Sequence, residues 1–257
     1  MNGGHHDHHH VHAHHPELSF WRKYLFSIDH KVIGIQYALT ALVFLFLGFT
    51  LMMMMRWQLA YPGKAMPIIG NLFGERNMPG GVMLPEFYNS LGAMHGTIMV
   101  FLGVVPMVVG GFGNYIMPLQ IGAPDMAFPK LNMMSYWVYF VGGVVMLVSF
   151  FVPGGAANSG WTSYAPLSVL ATTGQTFWLF GMVFLITSSL LGSVNFIVTI
   201  IQLRAKGLEF FRLPFFVWTQ FVTAFLLLLA FPPLEAAGVL QLMDRLAGTS
   251  FFMPQGL

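Results

Sequence analysis

Five long apolar stretches dominate the pattern of hydrophobic and polar positions along the chain. They lie near residues 32–56, 92–117, 135–153, 176–203 and 215–242. Each stretch reaches the roughly 20 residues that an α-helix needs to cross the hydrocarbon core of a bilayer. The pattern therefore predicts an all-α integral membrane protein with about five transmembrane helices.

The composition supports a bilayer as the solvent of this chain. Only 8% of the 257 residues are charged, whereas soluble domains have about 25%. Cysteine is absent, which excludes disulfides and thiolate metal sites. The formal net charge of +2 is too small and too dispersed to indicate nucleic-acid binding. Membrane lipid is thus an expected partner, and nucleic acid is not.

The distribution of polar residues predicts the domain organisation and the orientation. Residues 1–19 are histidine-rich, and we expect a disordered tail with incidental metal affinity. Residues 20–257 form the predicted membrane domain, which opens with a basic, aromatic interfacial segment at 20–31. Of the 11 lysine and arginine residues, seven fall on the amino-terminal side of the predicted membrane and four on the other. The positive-inside rule then predicts a cytoplasmic amino terminus.

Two features of the second half of the chain are unusual for a membrane protein. The 154–175 connection carries no charge, so we expect it to pack onto a cofactor edge or another chain. Glu235 lies inside the last apolar stretch, shortly after Pro232 and Pro233. A carboxylate at such a position is costly and normally faces protein or water, but the sequence gives it no role.

His95 is the one histidine that lies within a predicted span. Imidazole is a common protein ligand for heme iron, and Gly92 and Gly96 would let a porphyrin or a neighbouring helix approach the backbone. A hydrogen bond between helices would satisfy the ring equally well, so both readings remain open. Arg56, at the end of the first span, is either an interfacial residue that reaches toward water or a donor to a cofactor substituent.

Asp125 is the only acidic residue between Glu86 and Glu209, and it lies at a junction between two predicted helices. Amide and hydroxyl side chains occur near it and along the fourth span: Asn114, Asn132, Ser188, Ser189, Ser193 and Asn195. Such groups can order a file of water along which protons move from an acid at its mouth. They also form hydrogen bonds between helices, and spacing alone does not separate the two interpretations.

Longer motifs carry more information than these single residues. They are SIDHKVIG at 27–34, YN at 88–89 before His95, GGFGN at 110–114, IGAPDMAFP at 121–129, GWT at 160–162 and FVW at 216–218. In these motifs the chain resembles the amino-terminal half of subunit I of the heme-copper cytochrome c oxidases, in the branch with two proton pathways. The resemblance covers residues 20–252 and implies electron transfer from cytochrome c to oxygen, coupled to proton pumping.

The resemblance also implies roles for individual residues. His95 resembles the axial ligand of the low-spin, a-type heme, and Arg56 resembles the arginine that meets its formyl group. Tyr88 resembles a tyrosine near a propionate of that heme, and Trp161 a tryptophan beside a propionate of the oxygen-binding heme. The residues that resemble the D proton pathway are Asp125, Asn114 and Asn132 at its mouth, and Ser188, Ser189 and Asn195 in its water-lined middle.

The family's remaining metal ligands follow the region of resemblance, and no histidine follows His95 in this sequence. The resemblance therefore implies copper, the high-spin heme and the second axial ligand on a remaining part of subunit I, with no catalytic residue in this chain alone. It implies subunit II with its copper centre, subunit III and cytochrome c as partners. We expect a split or incompletely represented subunit, in the bacterial cytoplasmic membrane or, as the alternative, the mitochondrial inner membrane.

Three positions depart from patterns within the family. Gln58 stands where relatives often have a glutamate that contributes to a calcium or sodium site, so that site is in doubt. Ala60 and Phe87 replace residues typical of quinol-oxidising relatives, which disfavours quinol as the electron donor. A stand-alone membrane heme electron carrier and a proton-coupled transporter remain as alternative functions.

Overall fold

The computed structural model describes residues 19–70 and 72–253, so nearly all of the predicted histidine-rich tail lies outside the described residues. Five helices in it are long and apolar enough to cross a membrane, which confirms the predicted all-α membrane fold. They are α1 (His30–Ala60), α2 (Pro85–Ile121), α3 (Pro129–Phe151), α4 (Thr173–Gln202) and α5 (Phe215–Leu246). Short helices Gly74–Asn77 and Leu167–Leu170 lie in two of the connections.

Polar residues and proline, which lie outside the apolar stretches, determine where α1 and α2 begin. The Asp29 carboxylate caps α1 by accepting hydrogen bonds from the backbone N–H groups of Lys31 and Val32. Helix α2 begins at Pro85, seven residues before the predicted position 92, with Glu86 in its first turn. Proline is preorganised for a first helical position, and an acidic side chain there interacts favourably with the helix dipole.

Helix α2 is not a regular α-helix along its whole length. Its segments Ile98–Val104 and Pro106–Gly113 have π-helical hydrogen bonding. Pro106 lacks a backbone N–H and crowds the preceding turn, so the ordinary i→i−4 pattern cannot continue through it. The apolar pattern does not predict this widening of the helix, which lines one of the cavities described below.

Glycine allows α3 and α4 to approach each other closely. A Cβ atom added at Gly181 would lie 3.0 Å from the Gly142 carbonyl oxygen and 3.1 Å from the Met146 Cε atom. A Cβ atom at Gly142 would lie 2.8 Å from the Phe184 Cβ atom. Small residues at such crossings bring helix backbones together in membranes, where packing drives association.

Gly181→Ala is expected to lower the free energy of unfolding by about 1–3 kcal/mol, because the added methyl group overpacks this crossing. Gly192→Ala is the matched control on the same helix, since no atom of residues 19–70 and 72–253 lies within 4 Å of the Cβ position there. Thermal unfolding of both variants in detergent measures the difference. Equal transition midpoints for the two variants would contradict the close crossing.

The charge-free connection after α3 is held by Arg245 of α5. The guanidinium group donates hydrogen bonds of 2.7–2.9 Å to four carbonyl oxygens and one hydroxyl: Ser168 O, Val169 O, Ala171 O, Thr172 O and Thr176 Oγ1. A second set of hydrogen bonds joins Ser163 of the connection to Gln175 and Gln241. The connection therefore packs against the same chain: these hydrogen bonds join it to α4 and α5, and Trp161 in it contacts Phe101 of α2.

Candidate functional site

His95 lies half-buried on α2 and contacts the backbone of α1. Its Nδ1 atom is 2.8 Å from the carbonyl oxygen of Gly48. A carbonyl oxygen can only accept a hydrogen bond, so Nδ1 carries the proton in this contact. In the neutral ring the lone pair is then on Nε2, which is the nitrogen that can bind a metal ion.

Gly48 makes this contact possible because it has no side chain. A Cβ atom at Gly48 would lie 2.7 Å from the Met99 Sδ atom and 3.3 Å from the Ile98 Cγ2 atom. Its absence lets α1 come close enough to α2 for the Gly48 carbonyl to reach His95. The orientation and the tautomer of the imidazole are thus set by the backbone of a neighbouring helix.

The surface of α2 on either side of His95 has glycine at two positions, Gly92 and Gly96. Among the described residues, a Cβ atom placed at Gly96 would meet only Trp161, at 3.9 Å, and one at Gly92 would meet only the flexible end of Met55, at 3.3 Å. A cavity of about 580 Å³ continues along this side, lined by Met55, Tyr88, Gly92 and residues 158–160 among others. Tyr88 lines this cavity, whereas His95 and Trp161 do not; Trp161 lies beside Gly96 and lines a different cavity. Arg56, next to Met55, is exposed near the end of α1. The strip of α2 at Gly92 and Gly96, on the same helix as His95, is called the glycine cradle below.

The donor set in this cradle fits a heme. An iron in a porphyrin needs only axial ligands from the protein, and one histidine with a free nitrogen supplies one. A flat apolar ring can also approach the helix backbone closely at Gly96, and at Gly92 if the flexible end of Met55 moves aside. By contrast, no three His, Cys, Asp or Glu side chains within 19–70 and 72–253 are grouped so that they could hold a metal ion.

A second cavity, of about 250 Å³, lies between α1 to α5 and has several polar side chains in its wall. Three of the predicted pathway residues, Asn114, Ser188 and Ser189, line it together with Tyr37, Ser135, Tyr139 and Ser193. The Tyr37 hydroxyl is 3.0 Å from the Ser135 Oγ atom and 3.4 Å from the Ser188 Oγ atom. Tyr37 and Ser135 were not predicted from the sequence, although a hydroxyl in an otherwise apolar span is a usable signal.

Two asparagines near the helix ends on the amino-terminal side of the bundle have amide atoms without a hydrogen-bond partner among the described residues. Asn114 donates through Nδ2 to the Gly110 carbonyl oxygen at 2.8 Å, but its Oδ1 atom is buried without a hydrogen-bond partner in the described part of the chain. The Nδ2 and Oδ1 atoms of Asn132 are also buried, and neither has a hydrogen-bond partner in the described part of the chain. Buried polar groups are nearly always paired, and ordered water is the usual partner where protein is not.

Asp125 lies half-buried in the loop between α2 and α3, and its carboxylate accepts a hydrogen bond from the Met126 N–H at 2.7 Å. Asn195 holds this loop to α4, because its Oδ1 accepts from the Phe128 N–H and its Nδ2 donates to the Phe128 carbonyl. Thr199 adds a hydrogen bond from the Ala127 N–H at 2.9 Å. The amide of Asn195 is thus engaged with the loop, and its place along a water file stays a prediction.

His30 is a second histidine within a helix long enough to cross a membrane, two residues before the predicted start of the first span at residue 32. His30 is the first residue of α1, is buried, and has its Nδ1 atom 2.8 Å from the Asn114 carbonyl oxygen. The preceding Asp29, a good N-cap residue, was the signal in the sequence that α1 begins here.

Comparison with known proteins gives a consistent result. Residues 32–257 match the model of the family described as Cytochrome C and Quinol oxidase polypeptide I. Cytochrome c oxidase subunit 1 of Synechocystis sp. is 42% identical over 245 residues, which cover 95% of this chain and 41% of that protein. The corresponding subunit of Thermostichus vulcanus is 43% identical over 93% of this chain and 41% of its own length. The chain therefore spans about two fifths of the length of these curated relatives.

Proposed function

The chain belongs to the Cytochrome C and Quinol oxidase polypeptide I family, and from this membership we propose that it forms the low-spin heme site and the D proton pathway of a cytochrome c oxidase. The relatives described above are named cytochrome c oxidase subunit 1. Because the chain spans about two fifths of their length, the oxidase activity is proposed for the complex that it forms with the remaining part of subunit I and with subunit II.

The observation that carries this proposal is the hydrogen bond between His95 and the Gly48 carbonyl, beside the cradle at Gly92 and Gly96. A heme bound there supplies one-electron transfer. His95 is its proposed axial ligand through Nε2, and the Gly48 carbonyl orients the ring and makes it a stronger ligand, as such outer contacts generally do. Tyr88, Trp161 and Arg56 are proposed to contact the polar substituents of the hemes.

The polar residues on the amino-terminal side are proposed to move protons. Asp125 collects protons at the membrane surface, since it is half-buried in the loop that Asn195 and Thr199 hold against α4. The unpaired amide atoms of Asn114 and Asn132 order water between this loop and the cavity. Along the cavity, Ser188 and Ser189 continue the file.

The outer surface of α5 is proposed to contact the rest of the assembly. In its most apolar part only 17% of the residues are buried, against 44% in both α3 and α4. Such a surface suits further helices of subunit I or lipid. Copper and the high-spin heme are proposed to bind to the remaining part of subunit I. Subunit II, subunit III and cytochrome c are proposed as the other partners.

The test is a purification of the complex from native membranes through an affinity tag on this chain. We expect a reduced-minus-oxidised difference spectrum with a low-spin heme band, copper in the same preparation, and oxygen consumption with reduced cytochrome c. Mass spectrometry should find polypeptide sequence with the missing histidine ligands. Heme without oxygen consumption would favour the stand-alone electron carrier, and a preparation without heme would favour the transporter.

A further inference from the structure

Glu235 is an acidic residue in the interior of the spanning helix α5. The proposed function gives this residue no role. It lies 20 residues after the start of α5 at Phe215 and 11 before its end at Leu246, or about 30 Å and about 16 Å along the helix axis. Helix α4, which packs against α5, carries no Asp, Glu, Lys, Arg or His residue. The nearest charged residues on α5 itself, Asp244 and Arg245, are more than two turns away.

A threonine of α4 contacts the carboxyl group of Glu235. The Thr187 Oγ1 atom is 2.6 Å from the Glu235 Oε1 atom and 2.8 Å from the Val183 carbonyl oxygen. A hydroxyl group has one proton, and a carbonyl oxygen can only accept. If Thr187 donates to Val183, the short contact to Glu235 requires a proton on the carboxyl group. If Thr187 donates to Glu235, the same contact holds an ionised carboxylate.

Rotation of one hydroxyl group therefore gives Glu235 a hydrogen-bond partner in both protonation states. In neither state is the Oε1 atom unpaired, which lowers the cost of placing this group in a spanning helix. The Val183 carbonyl keeps its helical hydrogen bond when the hydroxyl turns away, because it lies inside α4. The pair is thus suited to gain and lose a proton without a change in helix packing.

Residues next to the pair in the chain line two mainly apolar cavities that have polar side chains in their walls, although neither Thr187 nor Glu235 lines a cavity itself. Ile186, the residue before Thr187, lines the 250 Å³ cavity and a further cavity of about 310 Å³. Phe231, one turn before Glu235, lines the first, and Leu234 lines the second. The polar side chains of the second cavity include Thr162, Ser163 and Gln241. Glu235 lies between α4 and α5, in contact with the residue that follows Ile186, which is common to the walls of both cavities.

We propose that Glu235 is a proton-exchange site between these two cavities, with Thr187 as its positioning residue. The site rests on the proposed function for its source of protons. Each uptake forms an O–H bond at the carboxyl group and breaks one in a protonated water cluster, and release reverses both bonds without a redox change. The other titratable groups that face the cavities are the hydroxyls of Tyr37, Tyr139 and Tyr164, and Tyr115 lies on the part of α2 that packs against α5.

Infrared spectroscopy of membranes that contain the assembled complex tests this proposal. We expect a carbonyl stretching band of a protonated carboxyl group that shifts when H₂O is replaced by D₂O. Glu235→Gln should remove this band, because the amide keeps the shape but cannot exchange the acidic proton. Thr187→Val should shift the band by removing the hydrogen bond, whereas Thr187→Ser, which keeps the hydroxyl, should leave it in place.

An infrared difference between the wild type and Glu235→Gln that contains no carboxyl band would overturn the proposal, as would a band that D₂O does not shift. The low-spin heme band of the same samples serves as the control for folding and for the proposed function. A normal heme band without the carboxyl band would overturn the role of Glu235 alone. The carboxyl band in samples without heme would overturn the oxidase assignment and leave the exchange site in place.

Discussion

Replacing His95 with alanine is expected to abolish the low-spin heme band in the reduced-minus-oxidised spectrum of the purified complex. The variant loses the Nε2 lone pair that the contact with Gly48 sets free, and alanine offers no atom that can bind iron in its place. The measurement is the height of the low-spin band relative to the amount of this chain in the preparation. We expect complete loss of that band.

The matched control for this experiment is His30→Asn. His30 also has its Nδ1 atom on a backbone carbonyl oxygen, that of Asn114, but it lies at the start of α1 and away from the glycine cradle. Asparagine keeps a donor at the same place, so the low-spin heme band should be retained. An unchanged heme band in His95→Ala would remove the basis of the heme assignment.

Asp125→Asn is expected to slow proton uptake from the cytoplasmic side on the order of 10²-fold, which is the lower end of what a positioned proton-transfer group contributes. Asparagine can still accept the hydrogen bond from the Met126 N–H, so the loop and the heme content should be unchanged. The variant cannot take up a proton on this side chain. The measurement is the rate of proton uptake by oxidase vesicles during turnover.

Asp29→Asn is the control for the loss of one negative charge on the same side of the membrane. Asparagine is as good an N-cap as aspartate, so the cap of α1 that Asp29 forms is preserved. Proton uptake should proceed at the wild-type rate in this variant. Wild-type uptake in Asp125→Asn, or an equal decrease in both variants, would contradict a specific entrance at Asp125.

The spanning helices could be predicted because twenty apolar residues in succession have few other solutions in a bilayer. The helix starts were less predictable, since they depend on capping by polar residues. Pro85 and Glu86 extend α2 by two turns beyond its apolar part, and Asp29 brings His30 into α1. These residues interrupt the apolar pattern, although each is a favourable helix start in physical terms.

The site was predictable in its residue types but not in its contacts. His95 stood out as an imidazole in hydrocarbon, whereas its partner is a backbone carbonyl of Gly48, which no side-chain pattern reports. The same holds for Arg245, whose partners are mainly carbonyl oxygens of the charge-free connection. Glu235 was conspicuous in the sequence, and only its contact with Thr187 gave it a chemical interpretation.

The most direct test of the central claim is an experimental density map of the complex purified through this chain. We predict planar density beside Gly92 and Gly96, joined at its centre to the Nε2 atom of His95, while Nδ1 remains within hydrogen-bond distance of the Gly48 carbonyl oxygen. A map in which Nε2 contacts only protein or lipid, with no planar density beside it, would contradict the assignment of this chain as the low-spin heme site.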